Sequence, residues 1–233
     1  MKEAPLLFEI HGIPPYVTYA WVAMVFLIGI SLVVRSSLKL IPTGVQNVVE
    51  AVVEALLKQA EDTIGHLGRY FFPLLGTLGL YILICNIMGL IPGFDSPTAN
   101  INTTLSLAIP VFLATHYYGI KTHGFGYIKQ FLGPIRSVFA LPLMILMFFI
   151  ELIGHLARPV TLSVRLFGNM IAKHLVLAVL VVVAFIVPAI TIIPSGMLNL
   201  FILAIGILVS VVQAFVFVIL TMLYLAGAIE EEH

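Results

Sequence analysis

Residues 151–174, ELIGHLARPVTLSVRLFGNMIAKH, put a carboxylate, imidazoles, two guanidiniums, an amide and an ammonium into an otherwise apolar polypeptide. At the α-helical rotation of about 100° per residue, Glu151, His155, Arg158, Arg165, Asn169 and Lys173 fall within about ±40° of one line along the surface. An Arg or Lys at a bilayer centre costs roughly 2.5–3.5 kcal/mol on insertion scales. A polar stripe of this length therefore marks an ion or proton path, unless structural ion pairs or snorkelling account for it. The remaining chain reads as the scaffold that makes the stripe tolerable.

Composition sets the environment. The chain has 233 residues, 61% hydrophobic and 9% charged, and its mean hydropathy is +1.15. Soluble domains carry roughly a quarter charged residues, so this is an integral membrane protein. Eleven basic and eleven acidic residues cancel, which leaves no electrostatic footprint for nucleic acid. Cys85 is the single cysteine and lies in an apolar run. It fits a small buried hydrophobe. No nucleotide-binding loop, HExxH, nucleophile elbow or CxxC occurs. No cofactor or metal is expected, and the chain is not an enzyme on its own. The N-terminus lacks the pattern of a cleavable signal.

Read in order, the pattern predicts one all-α membrane domain over 1–233, with about five transmembrane helices. Residues 16–39 form a first span, with Tyr19 and Trp21 placed for the interfacial aromatic belt. Residues 42–66 are one-sided, apolar at Val45, Val48, Val49, Val52, Val53, Leu56, Leu57, Ala60 and Ile64. They predict a helix lying in the interface plane or packed on a partner protein. Thr43 and Gln46 have capping-box spacing at its start. Residues 71–91 and 104–120 are the second and third spans. Residues 138–187 and 197–229 follow as two long helices. Fifty helical residues would reach roughly 75 Å against a hydrocarbon core of about 30 Å. The element over 138–187 is thus two spans or one steeply tilted span. Two spans would put Arg158, Arg165 and Lys173 at an outer loop and break the positive-inside pattern of Arg35, Lys39, Lys58, Arg69, Lys121, Lys129 and Arg136. One tilted span keeps it, with the N-terminus outside and the C-terminus cytoplasmic. Pro142 and Pro159 predict local kinks.

The last helix repeats the stripe. Asn199, Gly206, Ser210, Gln213, Phe217, Thr221 and Tyr224 lie within about ±40° of one line. Two such helices are expected to face each other across a hydrated interior. Arg165 stays charged at any physiological pH, so it serves as a fixed positive charge and not as a titrating relay. A carboxylate on a moving partner is held ionised beside it and protonates when carried into lipid. His174 lies half a turn from Arg165, and a free imidazole titrates near pH 6.5, which fits a proton relay or a packing residue. Asn169, Gln213 and Ser210 hold water, orient charge or bond helix to helix. Glu151 and His155 line an inner aqueous path or satisfy Arg158.

LARPVTLSVRLFGNMIAKH resembles the signature of the subunit a family of F-type ATP synthases. LVSVVQAFVFVILTMLYLAGAIEEEH is similar to that family's C-terminal helix, and PTGVQN and PTANINTTLSLA resemble its other recurrent stretches. The resemblance spans nearly the whole chain. It implies a proton-translocating stator subunit with two offset half-channels against a rotating c-subunit ring. It also implies a b-subunit peripheral stalk, the rest of the ATP synthase complex and membrane lipid as partners, in a bacterial plasma membrane. By resemblance Arg165 is the essential arginine facing the ring, and Gln213 is its neighbour. Asn169 and His174 then belong to the outer half-channel and Glu151 to the inner one. One position departs. Some relatives have a carboxylate at the position of His174 with a histidine at that of Gly206, and others the reverse. Glycine at 206 leaves the outer relay to His174 with water, or to another group. The alternatives are a stand-alone proton-coupled transporter or exchanger, and a structural anchor, which leaves the stripe without a purpose.

Overall fold

A backbone that leaves water for lipid must satisfy its own hydrogen bonds, and a helix does so within one segment. The computed structural model describes residues 12–36, 38–39, 42, 44–91, 93–124, 126–127, 141–186 and 195–229, and outside that description are the side chains of 45, 141–143, 173–174, 177–178, 180–186, 195–199 and 201–202. Among the described residues every regular element is helical. They are α1 Pro15–Ser36, α2 Val45–Ile64, α3 Gly68–Met88, α4 Ile101–His123, α5 Leu141–Ile186 and α6 Ser195–Ile229, with single 3₁₀ turns at Gly65–Leu67 and Pro97–Ala99. A turn is expected over 188–196, of which Ser195 and Gly196 belong to α6; the rest of it, Lys129, Arg136 and residues 230–233 lie outside the described residues, as do the side chains of Pro142, Lys173, His174 and Asn199.

Among the described residues four stretches are long and apolar enough to cross a membrane: Pro15–Ser36, one within Gln46–Met88, Met144–Ala172 and Leu203–Ile229. Helix α4, read from the sequence as a span over 104–120, falls outside these four. Its 23 residues reach about 34 Å, but Asn102, Thr103, Thr104, Ser106, His116 and Lys121 dilute its apolar character. Several of those polar groups turn inward. Thr103, Thr104 and Thr115 are buried, and Thr104 Oγ1 meets Ser163 Oγ of α5 at 2.9 Å. Helix α5 has 46 residues and α6 has 35, about 69 and 52 Å at 1.5 Å per residue.

Helix α6 packs chiefly along α3 and α4 and less on α5. Leu78 and Ile82 of α3, Ala108 and Val111 of α4, Leu162 and Leu166 of α5, and Ala214 and Phe217 of α6 form the central core. Gly79 lets α3 and α6 approach closely, for a Cβ there would sit 2.7 Å from Val218 Cγ2. The two stripes expected to face each other therefore meet only in part. Gly206, Ser210, Gln213, Phe217 and Thr221 are buried, and much of that surface lies on α3 because small residues there permit the closest helix contact.

Two local expectations are corrected. Tyr19 is fully buried, not in an interfacial belt, and its hydroxyl donates to the Gly93 carbonyl at 3.0 Å. Trp21, about 200° further round the helix, keeps 48% exposure. At the start of α2 the N-cap is Gly44, at φ +62° and without a side-chain cap. Gln46 instead reaches back to Lys39, accepting from its N–H at 3.0 Å and donating to its carbonyl at 2.9 Å. The second half of α2 packs through Ala60 onto Phe71, Leu75, Met222 and Leu225, while Val48 and Val52 stay exposed.

Candidate functional site

The polar stripe of α5 straddles the edge of the packed interior, so its two margins have opposite fates. His155, on one margin, turns inward and is buried. Arg165, on the other, is exposed. Glu151, on the midline, keeps a side chain 45% exposed. Arg165 makes no hydrogen bond or ion pair among the described residues. Gly154, Thr161, Gly168 and Ala172 share its face and are exposed with it. A Cβ at Gly154 or Gly168 would meet nothing within 4 Å.

One polar cluster gathers near the start of the stripe. His155 Nε2 lies 3.2 Å from Glu151 Oε1, and Arg158 Nη1 lies 3.4 Å from His155 Nδ1. A guanidinium only donates, so Nδ1 of His155 accepts and its Nε2–H donates to Glu151. The Arg158 guanidinium stands over the Tyr224 ring of α6 at 5.3 Å. Helix α4 adds His116, whose ring is 5.3 Å from that of His155 and nearly perpendicular to it. Tyr127, beyond the end of α4, is buried 5.9 Å from the His116 ring. Burial pushes its phenol pKa up, Arg158 opposes that and Glu151 adds to it. A small cavity opens among His116, Arg158, Pro159 and Tyr224.

A second cluster lies about 16 Å further along α5, counting 1.5 Å per residue from Arg158 to Asn169. Asn169 Nδ2 donates to Gln213 Oε1 of α6. Asn86, Leu166, Asn169, Met170, Ser210 and Gln213 line a second small cavity. Ser210 Oγ is 2.7 Å from the Gly206 carbonyl and 3.3 Å from that of Asn86. Asn86 Oδ1 accepts from Thr98 Oγ1 at 2.7 Å, and Thr98 meets Ser96 Oγ at 2.9 Å. This polar chain leads from the α3–α4 connection to the cavity beside Gln213. Gly206 abuts the Leu90 side chain. His174 belongs to α5 near this end, with its side chain outside the described residues.

Of the residues singled out from sequence, Glu151, His155 and Arg158 come together, and Asn169 joins Gln213 and Ser210. Arg165 stands between the two groups along α5 and belongs to neither. His116, Tyr127, Asn86 and Thr98 were not picked out as site residues. The signal for His116 is present in the sequence, since an imidazole inside an apolar helix is itself costly. Tyr127 and Thr98 carry no such signal, because loop polarity needs no explanation.

Residues 17–226 match the family model described as ATP synthase A chain. "ATP synthase subunit a" of Trichlorobacter lovleyi is 50% identical over 218 residues, covering 93% of this chain and 88% of that protein. Proteins named "ATP synthase subunit a" of Geobacter sulfurreducens and "ATP synthase subunit a 1" of Pelobacter propionicus are 47% and 49% identical over the same shares.

Proposed function

This chain belongs to the ATP synthase A chain family, and on that premise we propose how its geometry carries protons through the membrane sector of the complex. The subunit is a component of the complex and not a catalytic one. The two polar clusters are the linings of two half-channels, offset along α5 and separated by Arg165. The cluster of Asn86, Thr98, Ser210, Asn169 and Gln213, with His174 near it, opens to the outer side. The cluster of Glu151, His155 and Arg158 opens to the cytoplasm. Five spans with the N-terminus outside give this orientation, α4 being the fifth, and α5 and α6 are inclined because each exceeds the hydrocarbon thickness.

The observation that carries the reading is the Arg165 guanidinium, exposed and without a partner among the described residues of its own chain. A bare cation in lipid is costly, so the face it occupies is expected to meet a negatively charged surface. Gly154, Thr161, Gly168 and Ala172 on that face suit close approach of another helix. A c-subunit ring presenting carboxylates fits both properties, and a b-subunit stalk holds the chain against its rotation. A proton from the outer path neutralises a ring carboxylate, which then turns into lipid. On return, Arg165 favours the ionised form and the proton leaves by the inner path. A potential of 100 mV supplies roughly 2.3 kcal/mol per charge.

The test is Arg165→Ala in the assembled complex. Proton-driven ATP synthesis and ATP-driven pumping should both fall to background while the subunit is incorporated at normal level. Coupled activity near the wild-type rate would remove Arg165 from this role.

A further inference from the structure

We propose that His116 is a proton-carrying residue of the inner path, accepting the proton on Nε2 and returning it to water shared with the Glu151 carboxylate. This rests on the assignment of the Glu151 cluster to that path. The geometry of two imidazoles separates their roles. His155 is occupied on both nitrogens in its neutral form: Nδ1 accepts from Arg158 and Nε2–H donates to Glu151. A second proton on it would have to enter at Nδ1, against the guanidinium. His155 is therefore a positioning residue that orients the carboxylate.

His116 is built differently. Its Nδ1 lies 3.0 Å from the Phe112 carbonyl. A carbonyl only accepts, so Nδ1 carries the hydrogen and Nε2 is the ring's basic site. The ring also lines the cavity it shares with Arg158, Pro159 and Tyr224, on the side of the cluster that continues along α5 toward Arg165. Among the described residues, the titratable or charged groups about it are His155 and Arg158 from α5, Tyr127 from beyond α4 and Tyr224 from α6, and Glu151 is bonded to His155.

The step balances without a co-reactant. Hydronium in the cavity transfers a proton to Nε2, and the ring becomes imidazolium while Nδ1–H stays on the Phe112 carbonyl. The same Nε2 proton then leaves through water to the Glu151 carboxylate. That carboxyl group is exposed enough to release it to the cytoplasm. His116 ends neutral and Glu151 ends ionised.

The experiment uses the assembled ATP synthase in inverted membrane vesicles. His116→Gln keeps an amide donor for the Phe112 carbonyl but cannot titrate, and His116→Ala opens space for added imidazole. Each is expected to slow proton translocation severalfold. Each should also alter the dependence of translocation on cytoplasmic-side pH. Imidazole is expected to restore His116→Ala toward the wild-type rate. A His116→Gln complex with wild-type rate and pH profile overturns the proposal, and so does an assembled His116→Ala complex that imidazole leaves unchanged. If His116→Ala does not assemble, His116→Gln alone decides. Arg165→Ala, run beside them, separates the levels. Translocation surviving in that variant sinks the underlying reading, whereas its loss together with unaltered His116 variants sinks only the relay.

Discussion

A cation and a hydroxyl show how much one side chain's surroundings decide. Arg165 and Arg158 are seven residues apart on one helix, and the interior claims only the second. Arg158 is held by His155 and the Tyr224 ring, while Arg165 extends outward. Beside Arg158 sits Tyr127, outside the apolar segments and 4% exposed. Burial raises its phenol pKa above the ordinary value. The sign follows from linkage: the phenol's stabilising contribution is fully present below the unfolded pKa of about 10 and is lost as pH rises through the higher folded value. The stability difference between the wild type and Tyr127→Phe should therefore be the same at about pH 6 and about pH 9. It should shift against the wild type only above about pH 10, where the buried phenol begins to ionise. Thermal unfolding of the detergent-extracted complex at these pH values checks it, and a gap that already narrows between pH 6 and 9 contradicts it.

At the scale of elements, glycines decide where helices touch. Gly68 begins α3 against the end of α2, and a Cβ there would lie 2.7 Å from the Glu61 backbone nitrogen. Backbone cannot rotate away as a side-chain tip does, so α2 and α3 would have to separate. Gly68→Ala should cost about 1–3 kcal/mol or more through overpacking, read as lower thermal stability and less subunit in the membrane. Gly29→Ala in α1 is the control, because its Cβ would enter open space and no packing loss is expected. The same scale explains the α5 stripe. A band about 80° wide is broader than the boundary between core and surface. One set of aligned residues thus supplies a buried imidazole and an exposed guanidinium.

Across the whole molecule, large apolar side chains remain uncovered on α5 and α6. Ile153, Leu175 and Leu208 are each more than 60% exposed. Soluble proteins rarely show contiguous apolar patches above a few hundred Å², so lipid and partner helices must complete this surface. Mild detergent extraction followed by native mass measurement should recover the chain in a large complex. Recovery solely as a monomer or small homo-oligomer would favour a self-sufficient transporter instead.

The sequence by itself determined the membrane environment, the helical class and the family, and it marked Arg165 as an anomaly. Hydropathy, periodicity and the cost of a charge in lipid are properties of local sequence. It also held the α5 stripe, since rotation per residue is fixed by backbone geometry. Tertiary structure alone decided which margin of that stripe is buried, and that the α6 stripe leans on α3 more than on α5. It alone brought His116 beside His155, and Thr98 to Asn86 at the head of the second cavity. Those pairings join residues distant along the chain. They depend on how closely helices approach at Gly79 and its neighbours, and no periodicity within one segment encodes that distance.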